Sequence, residues 1–88
     1  MYEVEFTDDA LDDLAKLSKD IGQRILKKIR WLAENFESLS PEPLTNQWQG
    51  MYKLRVGDYR VVYTFESETR RLIIVHLIGH RREVYKSR

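Results

Sequence analysis

The sequence predicts an α+β fold: a small antiparallel sheet with two N-terminal helices packed on one face, in the order β-α-α-β-β-β, as one domain over residues 1–88. Three observations carry this. The stretch Met51 to Tyr63, MYKLRVGDYRVVY, alternates apolar residues on either side of Gly57-Asp58, a Gly-first dipeptide suited to a tight hairpin turn. Ile21, Ile25, Ile29, Leu32 and Phe36 recur at the spacing of an inward helical stripe. Leu72 to Ile78 is apolar apart from His76, as a strand covered on both faces near the sheet centre would be.

Taken in order, Met1 to Phe6 sets Tyr2, Val4 and Phe6 against Glu3 and Glu5, the alternation of an edge strand with one wet face. Thr7 can cap the helix that follows, and Asp8 and Asp9 complement the positive end of its dipole. Leu11, Leu14, Ala15 and Leu17 fall at helical spacing. Ser18 and Asp20 mark a break and a restart, and Gly22 weakens the next turn by ~1 kcal/mol, which puts the firm start of the second helix near Gln23 or a little earlier. Its outer face carries Arg24, Lys27, Lys28 and Arg30, either a solvated face or a second anion site. From Glu37 to Gly50 the composition turns to Ser, Pro, Asn and Gln, and Pro41 and Pro43 forbid further helix, so a loop is expected. Trp48 closes that loop, packed on the core or placed for base stacking or partner contact. Glu66 to Arg70 reads as a polar turn, His76 as a satisfied core or rim histidine, and Gly79 to Arg88 as a basic tail.

The hairpin also sorts charge. A two-residue loop pairs Val56 with Tyr59, Arg55 with Arg60 and Leu54 with Val61. Tyr52, Leu54, Val56, Tyr59, Val61 and Tyr63 then share one face, and Lys53, Arg55 and Arg60 share the other. Like charges directly opposite each other destabilise a strand pair, and an anionic partner would explain their presence. Net charge is only +1, but residues 51–88 hold nine of the fifteen Lys/Arg and four of the fourteen acids. Local field, not the total, attracts a polyanion.

With 88 residues, a domain buries somewhat over ~60% of its unfolded surface, enough for a limited core and too little for a deep substrate cavity. The absence of cysteine excludes disulfides, thiolate metal sites and cysteine nucleophiles, and makes the reducing cytoplasm the expected location. MYEVEF lacks a signal-peptide pattern, and no apolar run approaches the ~18 residues of a membrane span. No phosphate-cradling glycine loop, metal-ligand spacing or Gly-x-Ser-x-Gly turn is found, so no metal or other cofactor is expected.

The element order, together with YKLRVGDYRVVY and then GHRREVY some twenty residues later, resembles the RelE/ParE superfamily of bacterial and archaeal toxins over essentially the whole chain. The resemblance implies helices on one sheet face and basic residues on the other. In the RelE-like branch it further implies a toxin of a type II toxin-antitoxin module: a ribosome-dependent, metal-independent endoribonuclease that cleaves messenger RNA in the A site. There a ribose 2′-hydroxyl attacks its own 3′ phosphate, which calls for a base, cations around the phosphorane and a donor for the departing 5′ oxygen.

Lys53, Arg55, Arg60, Arg81 and Tyr85 fall at positions matching that catalytic constellation. Lys53, crowded by Arg55 and Arg60, is expected to be pushed toward use as a base. Arg55 stands where RelE proteins often have a second lysine. It stabilises charge but accepts no proton. Arg60 and Arg81 suit phosphate oxygens, although Arg60 can instead pair Glu66 or Glu83. Tyr85 can stack under a base, orient the leaving group or cap the core. His80 is the alternative acid or base, since related toxins such as YoeB use a histidine near this end, and Arg82 and Lys86 are candidate substrate-binding residues. The reading requires these cations on one surface and not each neutralised by an internal carboxylate.

The alternative is a ParE-like, non-enzymatic inhibitor of DNA gyrase, which shares the fold and needs no base. Either branch implies a cognate antitoxin wrapped around the domain, with operator DNA bound through the complex. The nuclease branch adds ribosome and mRNA as partners. Leu26, Trp31 and Leu39 lie outside the main stripe as candidate antitoxin contacts, with core packing expected for at least one of them.

Overall fold

The computed structural model describes residues 1–86, so Ser87 and Arg88 of the basic tail lie outside the described residues. In chain order the elements are β1 (Glu3–Phe6), α1 (Asp8–Ala15), α2 (Lys19–Asn35), β2 (Glu42–Pro43), β3 (Tyr52–Val56), β4 (Tyr59–Glu66) and β5 (Leu72–His80), with 3-10 turns at Phe36–Ser38 and Asn46–Trp48. The strands form one sheet in the order β1-β5-β4-β3-β2. The α+β expectation holds, and two details differ. The sheet is mixed, because β1 lies parallel to β5 with Glu3 beside Leu72 and Phe6 beside Val75. A parallel neighbour needs a long crossover, and the helices between β1 and the hairpin supply it. The Pro-rich stretch is also not all loop: Glu42 and Pro43 pair with Lys53 and Tyr52 as a two-residue edge strand, a position that tolerates proline.

Thr7 caps α1, its hydroxyl accepting from the Ala10 N–H at 3.1 Å. Ser18 caps α2 by accepting from Ile21 N–H, and the Gly22 N–H reaches the Ser18 carbonyl at 2.9 Å. The glycine's own N–H therefore closes the first turn, and α2 starts at Lys19, at the early side of the expected start near Gln23 or a little before it. Its stripe of Ile25, Ile29, Leu32 and Phe36 is buried as expected, with Ala33 added. Ala10 of α1 is fully buried, and Leu14 and then Leu17 pack against the core as their spacing suggests, while Leu11 is 49% exposed.

The helices cover one face of the sheet. There Ile25 and Ile29 pack with Val61, Tyr63, Ile73 and Val75, and Phe36 meets Tyr2 at a tilt and Phe65 edge-on, with ring separations of 4.7 and 4.8 Å. Each such side chain contributes about 1.5–3 kcal/mol by leaving water. The opposite face has a smaller core of Val62, Leu77 and Val84, flanked by Leu44, Trp48, Met51 and Tyr85. Strand β5 is thus covered on both sides.

Beyond Phe6, β5 has lost its parallel neighbour, and α1 takes over that edge. The Thr7 N–H donates to Val75 O at 3.0 Å, the Thr7 hydroxyl donates to His76 O at 3.2 Å, and the Ile78 N–H donates to Asp13 Oδ2 at 2.9 Å. The β4–β5 register shifts between Val62 and Tyr63, which oppose Leu77 and Val75 and leave His76 as the extra residue of a bulge. His76 Nε2 lies 2.8 Å from the Thr64 hydroxyl, in keeping with a satisfied histidine.

Candidate nucleic-acid interface

The hairpin has the register that parity gives, with Leu54 opposite Val61, Arg55 opposite Arg60 and Val56 opposite Tyr59. Gly57 makes the turn with φ of 60°, a conformation that favours glycine. Lys53 lies opposite Val62, and Arg60 opposite Gly79, so Lys53, Arg55 and Arg60 occupy the face away from the helices, beside the smaller core.

Two of these three cations have a counter-charge. Glu42, carried by β2, places Oε2 3.5 Å from Lys53 Nζ and 3.1 Å from Arg55 Nη2. Crowding by like charge is therefore offset at Lys53, a correction to the expectation drawn from Arg55 and Arg60 alone. Sequence reasoning missed Glu42 because it is eleven residues from Lys53, in a stretch read as loop. Its place opposite Lys53 exists only once β2 has paired. Arg60 pairs neither Glu66 nor Glu83: its Nη1 donates to the carbonyls of Gly57 and Tyr59, both at 2.9 Å, and it forms no ion pair among the described residues.

The C-terminal turn folds back over this face. His80 O accepts from Glu83 N–H and Val84 N–H at 2.8 and 2.9 Å, and Val84 seats directly on Gly79. A Cβ on Gly79 would stand 3.3 Å from Val84 Cβ, so Val84 would have to give by a few tenths of an ångström to admit one. The turn brings Tyr85 edge-on to Trp48, with ring centroids 5.7 Å apart. The Tyr85 hydroxyl is enclosed without a hydrogen-bond partner. Burial pushes its pKa up, the Arg60 and Arg55 charges opposing and the Glu42 charge adding, so the phenol keeps its proton near neutral pH and shares the electrostatic field of the cations.

Lys53, Arg55, Arg60 and Tyr85 are thereby brought together. Arg81 stands at the hairpin tip, its N–H on Asp58 O at 2.7 Å and its Nε 3.6 Å from Asp58 Oδ1. His80 lies opposite Tyr59, on the helix side of the sheet and not on the cationic face. Its ring meets the Tyr59 ring at 5.5 Å, and its Nδ1 accepts from Arg82 N–H at 3.2 Å. Arg82 and Lys86 are exposed in the turn. Among the described residues no group of three or more His, Asp or Glu is arranged to hold a metal ion, and no helix is long and apolar enough to cross a membrane.

An α+β domain with both helices on one sheet face and Lys, Arg and Tyr side chains on the other has the architecture of the small toxins of type II toxin-antitoxin systems. Residues 4–85 match the family described as ParE toxin of type II toxin-antitoxin system, parDE, and the chain belongs to that family, within the RelE/ParE superfamily that its motifs resemble. Toxin RelE of Mycobacterium tuberculosis is 32% identical over 76 residues, 86% of this chain and 78% of that protein. The toxin-antitoxin complex RelBE2 of the same organism superposes with a TM-score of 0.79 at 26% identity, covering 91% of this chain and 98% of that one. The isolated RelE toxin of E. coli shares the fold, with a TM-score of 0.73 at 23% identity over 99% of this chain and 94% of that one.

Proposed function

We propose that this toxin is a ribosome-dependent, metal-independent endoribonuclease that cuts messenger RNA in the A site, acting in the cytoplasm. One observation carries the reading: Tyr85 holds an enclosed, unpartnered hydroxyl in the field of Arg60 and Arg55, on the face that also carries Lys53. An enclosed donor without an acceptor costs stability, and a catalytic role is one reason such a group is retained. In the proposed reaction the ribose 2′ oxygen bonds to phosphorus while the bond from phosphorus to the 5′ oxygen breaks. Lys53 takes the 2′ proton, Arg60 and Arg81 neutralise the equatorial oxygens, Arg55 adds charge, and Tyr85 donates to the departing 5′ oxygen. Glu42 marks where an anion meets Lys53 and Arg55 together, and an entering phosphate displaces it. So shallow a surface relies on the ribosome to hold the strand in line.

Primer extension in a translation system of purified components tests this. Lys53→Ala, Arg81→Ala and Tyr85→Phe are each expected to cut at least about tenfold more slowly, as loss of a positioned acid, base or charge predicts. Cleavage by all three at the parent rate refutes the mechanism.

The second reading, a ParE-like inhibitor of DNA gyrase, is favoured by the family match and by the pairing of Lys53 and Arg55 with Glu42, which a protein without a general base tolerates. Inhibition of supercoiling by pure gyrase, without message cleavage, selects it.

Both readings include a cognate antitoxin, through which operator DNA is bound. The solved RelBE2 neighbour is itself a toxin-antitoxin complex. Leu39 packs on the core, whereas Leu26 and Trp31 are 41% and 39% exposed. Leu26 also borders an open groove of about 650 Å³ between β1 and α2 with Val4, Phe6 and Ile29, which is suited to an apolar antitoxin segment.

A further inference from the structure

Beside the cationic cluster, on the same face, lies an open hollow of about 490 Å³ lined by Gln47, Trp48, Met51, His76 and Leu77. Its size falls in the range of small-molecule sites, about 300–1,000 Å³. We propose that this hollow receives one unstacked RNA base, the nucleotide next to the scissile phosphate beside Lys53, and so sets sequence preference. The proposal deepens the nuclease reading and rests on it.

Four features support a base as the occupant. Met51 precedes Lys53 by two residues on the chain entering β3, and Leu77 pairs with Val62, which lies opposite Lys53. At about 3.4 Å per strand residue the hollow begins some 7 Å from the lysine, so one RNA segment can span both. The lining combines an indole and a thioether, which accept a flat ring of any sequence, with the Gln47 amide, which offers both a donor and an acceptor to a base edge.

The loop that presents Trp48 is also a built structure. The Leu44 N–H donates to Met51 O at 2.9 Å, the Met51 N–H to Trp48 O at 3.1 Å, and the Trp48 N–H to Thr45 O at 3.1 Å, while Asn46 adopts φ of 58°. A preformed platform lowers the ordering cost of binding. Finally, the cations beside the hollow draw in a phosphate chain, for which a purely apolar peptide offers no counterpart.

The probe is a 2′-O-methyl trinucleotide, uncuttable because its nucleophile is blocked, compared with the same backbone lacking the central base. Each is titrated into the full chain and followed by the indole N–H signals in NMR, assigned with Trp31→Phe. The intact probe is expected to shift the Trp48 signal and not that of Trp31, and to bind about tenfold tighter than the abasic one. Gln47→Leu is expected to change the ranking of the four bases severalfold while leaving abasic binding unchanged, and Lys53→Ala to weaken both probes alike. Equal binding of the two probes, no Trp48 response up to millimolar probe, or a Trp48 response only to the co-expressed antitoxin overturns the proposal. Base discrimination without message cleavage on ribosomes would remove the nuclease reading and leave the base site standing. Cleavage without base discrimination does the reverse.

Discussion

Tyr85→Phe separates stability from activity more sharply than any other single change. The Tyr85 hydroxyl is enclosed and unpartnered, while the ring packs against Trp48 and beside Val62, Leu77 and Val84. Removing only the oxygen keeps those ring contacts and relieves a desolvated polar group, whose burial without a partner costs about 1–3 kcal/mol. The variant is therefore expected to be more stable than the parent, by at least about 1 kcal/mol. For a domain of 60–100 residues that corresponds to a rise of about 4–8 °C in Tm. The same change deletes the proposed donor to the leaving oxygen, so cleavage on translating ribosomes is expected to fall by at least about tenfold. Tyr85→Ala is the control: it also loses the ring, and is expected to cost about 3 kcal/mol as large-to-small core changes do. Thermal melts followed by circular dichroism and primer extension on the same preparations give both readouts. A Tm that falls in Tyr85→Phe would show that the hydroxyl has a partner in solution, and the argument from an unmet donor would be wrong.

Gly22→Ala is expected to raise stability by about 0.5–1 kcal/mol in urea unfolding, because the new Cβ meets Leu14 Cδ1 at an ordinary 3.7 Å and a helical glycine carries an entropic cost. Asp13→Ala is expected to cost about 1–3 kcal/mol, since it strands the Ile78 N–H that the carboxylate accepts at 2.9 Å, and Asp13→Asn is expected to recover part of the loss by keeping an acceptor. Glu66 accepts the N–H groups of Thr69, Arg70 and Glu68, each at 2.8 Å, and these bonds hold its pKa below the ordinary carboxylate value. A depressed folded-state pKa contributes stability that is present above the unfolded value and lost as pH falls through the folded one. Glu66→Gln is accordingly expected to flatten the acid limb of Tm against pH and to leave the alkaline limb unchanged.

Much of this protein is legible from local pattern. The alternation around Gly57-Asp58 gave the hairpin register and the face shared by Lys53, Arg55 and Arg60, because successive strand residues point to opposite sides whatever they pack against. The α2 stripe was legible for the same reason at a period of 3.6 residues. In the first helix the spacing was right for Leu14 and Leu17, which pack on the core, and slipped at Leu11, which is exposed where the smaller Ala10 is the buried neighbour.

Sequence by itself determined the two helices, the hairpin with its two faces, the strand β5 and the charge gathered on the hairpin's outer face. The tertiary structure alone decided who meets whom across those faces: Glu42 against Lys53 and Arg55, Asp13 against the Ile78 N–H, Tyr85 on Trp48, and β1 parallel to β5. Periodicity is a property of one element and is written in adjacent residues. A contact between elements depends on chain crossovers and on the close approach of Val84 to Gly79, and those distances arise only when the layers have packed.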